Sequence, residues 1–472
     1  MLIRHAEVDG VRVDVRLIDG VIAAMAPVLT PLTDERIIDA RGAVLLPGLH
    51  DHHLHLNALA AALDSLHCGP PQIFDAPTLG RELQNKARAV AANGGGWLRG
   101  IGYTDSVAGA IDRDWLDQFA LSIPVRIQHR SGRLWILNSC ALRWIEEGMT
   151  ARERGAAPLE KQNGRWTGRL YDADDWLRGR LRAVAPNLRR ASALLASYGI
   201  TGITEVTPHN NRASWNHFAA ARAAGDIAQD LRIMGNASLN HQNDKPGQRL
   251  GATKIHLHES HLPPLDSLIS LIADSHNAGR PVAVHCVTLT ELLFSLGALA
   301  AAGAFPGDRI EHAAIAPPDA VQLMREQGVT VVTQPNFIGE RGDDYLRDVD
   351  AVDQPWLYRA RVFLDAGIPL AAGTDAPFGA PDPWRAMRDA VARRTPGGAV
   401  LDAAETLTPE QALALFLGPS DNPGGPARRI ATGANADLCL LDRPWHLART
   451  DLAAVRVLVT WKSGDIIYRT LR

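Results

Sequence analysis

The chain has 472 residues, 46% of them hydrophobic and 21% charged, so it can bury a core in one large domain or two to three smaller ones. A formal net charge of −3 and the absence of Lys/Arg blocks argue against nucleic acid and a membrane surface as partners. No apolar run approaches the roughly 20 residues of a membrane span. Four scattered cysteines without a CxxC pair indicate neither a disulfide framework nor a zinc–cysteine site, which predicts a reducing cytoplasm.

The N-terminal residues 1–46 are predicted to form short strands broken by turns. The stretch "VRVDVRLIDGVIAAMAP" alternates with period 2 and then turns at Asp19-Gly20, a two-residue hairpin signal. The C-terminus has the same character, because "ADLCLLD" and "VRVLVTWKSGDIIYR" show no helical periodicity. The two ends of the chain can therefore share one sheet.

Between the ends, β-rich runs alternate with alanine-rich helical stretches, the pattern of repeated βα units in an α/β protein with a parallel sheet. Eight runs fit: "LLPGLHDHHLHL" (45–56), "GITGITEVT" (199–207), "LRIMGNASL" (231–239), "GATKIHLH" (251–258), "RPVAVHC" (280–286), "RIEHA" (309–313), "GVTVVTQP" (328–335) and "IPLAAGTD" (368–375). From the second run onward, we expect a helix after each, such as 265–279 or 317–327. Eight units are the number that closes a (β/α)₈ TIM barrel.

The connection after the first run is far longer than a usual βα loop. We therefore predict an inserted cap over about 57–190, with its own strand in "PVRIQH" (124–129). The predicted barrel domain spans 48–404, and the terminal β unit is formed by 1–47 and 405–472.

Candidate metal ligands fall near the C-terminal ends of five of the eight runs, where barrels of this kind place active sites. The candidates are His53, His55, Lys254, His285, His312 and Asp375. His53 and His55 are two residues apart, so a strand points both imidazoles to one face, as a shared metal ion needs. His50 and His52 are then expected on other faces or deeper, as bystanders or as groups that orient the ligands.

Each candidate also has an ordinary structural role as its alternative. The imidazoles of His285 and His312 can bond backbone carbonyls, and Asp375 can cap the helix that follows it. Lys254 can pair with an acid such as Glu205, or its neutral amine can take up carbon dioxide to give a carbamate that bridges two cations. The occurrence of all the candidates at the same end of successive βα units favours the metal site.

The motifs "LLPGLHDHHLHL", "ATKIHL", "VAVHC", "RIEHA" and "AAGTDAP" resemble the amidohydrolase superfamily, and within it the amidohydrolase family 3 group that includes N-substituted formamide deformylases. Further matches in "HRSGRLWILNSCAL", "GRWTGRL", "DPWRAM", "LTPEQAL" and "GANADLCLLD" extend the resemblance over nearly the whole chain. The resemblance implies a (β/α)₈ TIM barrel beside a small β-sandwich built from both termini, and a site with one or two divalent metals.

The resemblance also implies roles for the candidate residues. By position, His53 and His55 match the pair on the first strand, Lys254 the bridging carbamate, His285 and His312 the ligands of the second metal, and Asp375 the final acid. The departures concern the substrate: His258-Glu259 replaces the usual Asp-Gly, Thr288-Leu289 the frequent Gly-Asp, and Ser131-Gly132-Arg133 the usual Ser-Gly-His.

Three residues are predicted to bind the substrate. Period 2 puts His256 and His258 on the same strand face as Lys254, so both histidines are expected to line the pocket. Arg133 in the cap suits an anionic or carbonyl-rich substrate, with an ordinary surface guanidinium as the alternative.

The predicted function is metal-dependent hydrolysis of a carbon–nitrogen bond in a small-molecule amide, formamide, imide or urea. A metal ion lowers the pKa of its bound water toward about 7, and Asp375 carries the proton to the departing nitrogen. Two zinc ions are the expected cofactor, with manganese, cobalt, nickel or iron left open. The alternatives are an amidine deaminase with one metal and no carbamate, and a non-catalytic barrel scaffold. A homo-oligomer is also left open.

Overall fold

The computed structural model describes residues 1–70, 72–92, 94, 96–120, 122–181 and 186–470. The chain forms two compact units, one made of Met1–Leu56 with Leu188–Arg472 and the other of Asn57–Asn187. Within the described residues, none of the helices combines the length and the apolar character needed to cross a bilayer.

The N-terminal segment is a strand-rich region, as predicted. Its strands are β1 (Leu2–Val8), β2 (Val11–Ile18), β3 (Val21–Ala26), β4 (Ile37–Asp39) and β5 (Leu45–Pro47). The first four form one sheet in the order β3-β2-β1-β4. Asp19 and Gly20 join β2 to β3 with φ of 49° and 79°, the left-handed backbone that a two-residue type I′ hairpin turn requires.

The sixth strand, β6 (Leu49–Leu54), precedes the inserted unit. The elements that follow are α1 (Leu56–Leu63), β7 (Leu66–His67), α2 (Ala76–Ala92), β8 (Leu98–Tyr103), α3 (Asp105–Ala108), α4 (Arg113–Asp117), β9 (Val125–His129), β10 (Leu134–Leu137), α5 (Ser139–Glu146), α6 (Ala151–Ala156), β11 (Leu159–Gln162), β12 (Arg165–Tyr171) and α7 (Asp174–Arg180). The strands of the unit form one sheet, β11-β12-β10-β9-β8-β7, in which β9 is the strand predicted at 124–129. Two clusters of buried apolar side chains give the unit its own core.

The chain then alternates between strands and helices. The elements are α8 (Leu188–Ser197), β13 (Ile200–Glu205), α9 (Arg212–Ala223), β14 (Asp230–Gly235), β15 (Gln248–His256), α10 (Leu265–Asn277), β16 (Val282–Cys286), α11 (Leu289–Ala302), β17 (Arg309–His312), α12 (Pro318–Gln327), β18 (Thr330–Thr333), α13 (Asn336–Asp348), α14 (Ala360–Asp365), β19 (Leu370–Ala372), α15 (Pro383–Ala392) and α16 (Pro409–Ala414). Each of the eight predicted runs overlaps one strand of a single parallel sheet, ordered β19-β18-β17-β16-β15-β14-β13-β6, although β14 and β15 begin one and three residues before their runs.

The parallel sheet closes into the predicted TIM barrel. Its two end strands approach each other where the Asp375 backbone N–H donates to the carbonyl of His53 at 2.8 Å. A second bond runs from the His55 N–H to the carbonyl of Ala376 at 3.0 Å. Because all eight strands run in the same direction, their carboxyl ends, which carry the candidate ligands, meet on one face of the barrel.

The expectation of a helix after each run was wrong between β14 and β15. That connection contains a 3₁₀ turn at Ala237–Leu239 but no α-helix. The reason is local, because Asn236 accepts a hydrogen bond from the Ser238 N–H at 2.9 Å and so competes with helical bonding. The polar turn formers of "NHQNDKPG" follow directly.

Helix α11 shows how the sequence fixes a helix start after a barrel strand. Thr288 accepts from the Glu291 N–H, while the Glu291 carboxylate accepts from the Thr288 N–H, both at 3.2 Å, which forms a capping box. Thr288-Leu289, one of the departures from the related motif, therefore forms the start of a helix.

The C-terminal strands complete the second small sheet. Their region contains β20 (Leu438–Leu441), α17 (Trp445–Ala448), β21 (Val457–Lys462) and β22 (Asp465–Arg469). The sheet order is β22-β21-β20-β5, so a strand from the N-terminus pairs with the C-terminal strands as predicted. Ile3, Val15, Leu438 and Trp461 belong to one buried cluster that joins this sheet to the N-terminal sheet in a β-sandwich.

Candidate metal centre

Strand β6 is buried along its whole length and contains a β-bulge near its carboxyl end. Opposite β13, Asp51 pairs with Ile203 and Leu54 with Glu205, so β6 has one extra residue between the two pairs. The Asp51 carboxylate accepts from the His53 N–H at 3.1 Å, and from the Thr374 hydroxyl at 2.6 Å. These bonds fix the bulged backbone to the segment that follows β19.

His53, His55 and Asp375 converge at this end of the barrel. Asp375 Oδ1 lies 3.4 Å from His53 Nε2 and 3.3 Å from His55 Nε2. This oxygen is buried and, in the part of the chain that the structure describes, has no aligned hydrogen-bond partner. His312 joins the group, since one donor atom each from His53, His312 and Asp375 lie within 4.8 Å of one another. Close donor atoms that are not hydrogen-bonded to each other are what a cation site requires.

The other ring nitrogen of three of these histidines is held by the protein. The Nδ1–H of His53 donates to Glu311 Oε2, Nδ1 of His55 is 3.0 Å from the Thr207 hydroxyl, and Nδ1 of His312 is 2.5 Å from Gln334 Oε1. Three separate side chains thus orient three imidazoles through Nδ1. In each ring, Nε2 is left as the nitrogen that can bind a metal.

Lys254 is buried in β15, and its ion-pair partner differs from the one considered in the sequence. Its Nζ lies 3.7 Å from Glu311 Oε1. Glu205 instead accepts hydrogen bonds from the backbone N–H groups of Leu56, at 2.5 Å, and Thr207, at 2.9 Å. Burial lowers the pKa of Lys254 to about 8, even though Glu311 opposes this shift. The amine is therefore more easily neutral than that of an exposed lysine.

Three further histidine rings continue from His312. The ring centroids of His312 and His285 are 4.5 Å apart, those of His285 and His256 are 4.3 Å apart, and those of His256 and His258 are 4.4 Å apart. Desolvation, followed by the neighbouring His258 and Lys254, lowers the pKa of His256 to about 3. His256 and His258 are exposed at the end of β15. The structure thus places His256 beside the predicted ligand His285, and His258 beside His256.

Arg133 belongs to the inserted unit and forms an ion pair there. Its Nε and Nη2 donate to the two oxygens of Asp172 at 2.8 Å and 2.6 Å. The guanidinium is largely exposed. A role in substrate binding stays a prediction for this residue.

The loop after β15 is bonded to the first turn of α11. The backbone N–H of Glu259 donates to Glu291 Oε1 at 3.0 Å, and the Thr290 hydroxyl donates to Glu259 Oε1 at 2.9 Å. Glu259, one residue of the His258-Glu259 departure, thereby ties the loop that carries His258 to the start of α11.

Backbone strain is found at two of the predicted ligands. His312 and Asp375 have φ of 70° and 54°, and Ala313 has φ of 47°. Non-glycine residues in this region cost about 1–3 kcal/mol each and occur where a site requires them. Asp375 does not cap the following helix, because the side chain of Asp382 accepts from the Trp384 N–H at the start of α15.

Sequence reasoning missed Glu311, Thr207 and Gln334, which orient the imidazoles. Glu311 had a detectable signal, because it is an acid in a short barrel strand directly before a candidate ligand. Thr207 and Gln334 gave no such signal, since polar residues are common in the loops that follow strands.

A family model described as "Amidohydrolase family" matches residues 36–468. The N-substituted formamide deformylase of Arthrobacter pascens is 25% identical over 495 residues, covering 92% of this chain and 90% of that protein. An uncharacterized metal-dependent hydrolase from Pyrococcus furiosus has a TM-score of 0.73 at 19% identity, covering 94% of this chain and 97% of its own. N-isopropylammelide isopropylaminohydrolase from Burkholderia multivorans has a TM-score of 0.55 at 19% identity, covering 99% of this chain and 98% of its own.

The structural likenesses agree with the barrel, and the family match extends over most of the chain. Membership of this family implies a divalent metal, and the donor set fits one, since imidazole nitrogens surround a buried carboxylate oxygen that lacks an aligned hydrogen bond. The chain therefore belongs to the amidohydrolase family and is a hydrolase of carbon–nitrogen bonds other than peptide bonds.

Proposed function

We propose that this protein hydrolyses the carbon–nitrogen bond of a small-molecule amide, formamide, imide or urea at a divalent metal centre. The observation that carries the proposal is the convergence of His53 Nε2 and His55 Nε2 on Asp375 Oδ1, at 3.4 Å and 3.3 Å. The similarity to a protein named as a formamide deformylase supports a substrate of this class.

The proposed centre holds two zinc ions. The residues that would hold them are His53, His55, Lys254 as its carbamate, His285, His312 and Asp375. When bound, the cations supply positive charge that polarises the scissile carbonyl and lowers the pKa of a water toward about 7. Manganese, cobalt, nickel and iron also suit an imidazole-rich site.

Asp375 is the proposed proton carrier. Burial alone would raise the pKa of this carboxyl, but His53, His55 and His312 outweigh burial and hold the pKa well below its usual value. The group is therefore ionised at neutral pH and can accept a proton from the attacking water. It then delivers this proton to the departing nitrogen, which leaves as an amine or, from an imide, as an amide.

Three side chains of the barrel and one of the inserted unit are proposed to bind the substrate. Phe378 is 56% exposed and meets the His55 ring edge-on with centroids 5.4 Å apart, so it offers an apolar face to a nitrogen substituent. His256 and His258 are proposed to donate to carbonyl oxygens. Arg133 is proposed for an anionic or carbonyl-rich group.

Asp375→Asn tests the proton carrier. When the variant is assayed at the same metal content as the wild type, we expect turnover to fall about 10²- to 10⁴-fold, the contribution of a positioned acid–base group. The matched control is Asp382→Asn, because Asp382 caps α15 and Asn is an equally good cap, so turnover should be unchanged. Near wild-type turnover in Asp375→Asn would contradict the role.

Metal analysis and a substrate screen test the function itself. We expect bound divalent metal in freshly purified protein and hydrolysis within a panel of formanilides, hydantoins, imides and phenylureas. Ammonia release from amidines by a protein with one metal ion would favour the deaminase instead. Negligible metal, without recovery on reconstitution, would favour the scaffold.

A further inference from the structure

Glu311 is a fully buried carboxylate that the proposed mechanism does not use. It is 0% exposed and precedes His312 in β17. Three side chains contact it: His53, Arg309 and Lys254. A buried carboxylate is normally retained only where such partners compensate its charge.

One oxygen of the Glu311 carboxylate determines which tautomer His53 adopts. Oε2 accepts from the Nδ1–H of His53. An ionised carboxylate can only accept hydrogen bonds, so Nδ1 carries the proton and Nε2 keeps its lone pair. It is Nε2 that faces Asp375. Glu311 thereby selects the tautomer that can bind a metal at this position.

The other oxygen is held so that the carboxylate cannot turn away. Oε1 accepts from Arg309 Nε at 2.5 Å and lies 3.7 Å from Lys254 Nζ. Arg309 Nη2 also donates to the backbone carbonyl of His52 at 2.9 Å. Arg309 thus binds both Glu311 and the strand that carries His53, and the contacts form a closed ring across β6 and β17.

The partners of the other oriented histidines are uncharged. His55 meets the hydroxyl of Thr207 and His312 meets the amide oxygen of Gln334. A hydrogen bond to a carboxylate is roughly twice as strong as a neutral one, and it raises the basicity of the imidazole. Of these three rings, His53 therefore has the strongest support as a ligand.

We propose that Glu311 is a positioning residue, held by Arg309, that fixes the tautomer and orientation of His53 and so sets the affinity of the centre for the metal ion that His53 binds. This inference rests on the proposed function, because it takes His53 as a metal ligand. It assigns Glu311 no contact with the substrate.

The test compares Glu311→Gln with the wild type by Zn²⁺ titration against a chelator and by the visible spectrum of the Co²⁺-substituted protein. We expect Zn²⁺ affinity to fall about 10- to 100-fold and the Co²⁺ bands to shift. Glu311→Asp restores the charge with a shorter reach and should recover part of the affinity. The matched control is Glu405→Gln, because Glu405 is also a buried carboxylate, paired with Arg359 at 3.0 Å, and its loss should leave Zn²⁺ affinity unchanged.

Unchanged Zn²⁺ affinity and an unchanged Co²⁺ spectrum in folded Glu311→Gln would overturn the proposal. If this variant does not fold, Arg309→Lys provides the test, because Lys keeps the charge but cannot bind Glu311 and the His52 carbonyl together. A weaker affinity supports the proposal, and an unchanged one overturns it. A wild-type protein that binds no Zn²⁺ would instead refute the proposed function, so the two failures are distinguishable.

Discussion

The two histidine pairs of the "HDHHLH" segment lie next to each other in sequence but in opposite surroundings. His50 and His52 have ring centroids 4.5 Å apart, and His50 Nε2 is 2.9 Å from the Thr204 hydroxyl. His53 and His55 instead meet acidic side chains, since both point Nε2 at Asp375.

The pKa values of His52 and His53 follow the charges around them. Burial lowers the pKa of His52 well below its usual value, and the guanidiniums of Arg309 and Arg428 lower it further. Burial would also lower the pKa of His53, but Glu311 and Asp375 outweigh it and raise the pKa. One pair lies in a positive field that repels cations, and the other in a negative field that attracts them. The carboxylate partners, and not the density of histidines, distinguish the candidate ligands.

Substituting one histidine from each pair tests this comparison, and it has the largest expected effect on Zn²⁺ binding. His53→Asn should weaken Zn²⁺ binding by more than about 100-fold, since a direct ligand contributes more than the residue that orients it. His52→Asn should keep wild-type metal content and turnover. Metal content of the two purified variants, measured by elemental analysis, checks this. Loss of metal in His52→Asn alone would reverse the assignment of the pairs.

Removing the uncharged side chains that orient His55 and His312 should have a smaller effect on Zn²⁺ affinity. Thr207→Val and Gln334→Met delete the hydrogen bonds to Nδ1 of His55 and His312 with little change in side-chain size. Each should weaken Zn²⁺ binding about 2- to 10-fold, the contribution of one neutral hydrogen bond. Chelator competition measures the Zn²⁺ affinities of both variants, for comparison with that of Glu311→Gln. An effect as large as that of Glu311→Gln would show that the charge of the partner is unimportant.

Asp389 is a buried carboxylate in which burial outweighs the neighbouring positive charge, and its substitution is expected to change stability and not metal binding. It is 3% exposed, and burial raises its pKa from 3.8 to about 6 although Arg388 opposes the shift. Between pH 4 and 6 the folded protein therefore holds a proton that the unfolded chain has lost, so stability falls as pH rises through this window. Asp389→Asn removes this loss and should be about 1–3 kcal/mol more stable than the wild type above pH 6, with the difference disappearing near pH 4.

Denaturant unfolding from pH 4 to 8 measures this difference. Asp365→Asn is the control, because Asp365 is an exposed partner of Arg361 on α14 and should change stability by less than about 1 kcal/mol at any pH. A constant difference between Asp389→Asn and the wild type across the range would contradict the assignment.

The sequence by itself determined the elements whose signal is local. The period-2 and apolar runs predicted all eight barrel strands, and the Asp19-Gly20 turn and the pairing of the two ends also follow from it. The HxH spacing brought His53 and His55 to one side, where their ring centroids are 5.7 Å apart. These features depend on neighbours a few residues away, which the chain encodes through side-chain periodicity and turn chemistry.

The tertiary structure alone decided which groups meet across the barrel. The bulge in β6 depends on its register with β13. Glu311 reaches His53 across 258 positions of sequence, and it replaces Glu205 as the partner of Lys254. No local pattern encodes such a pairing, because it arises only when eight strands close into one ring and bring their carboxyl ends together.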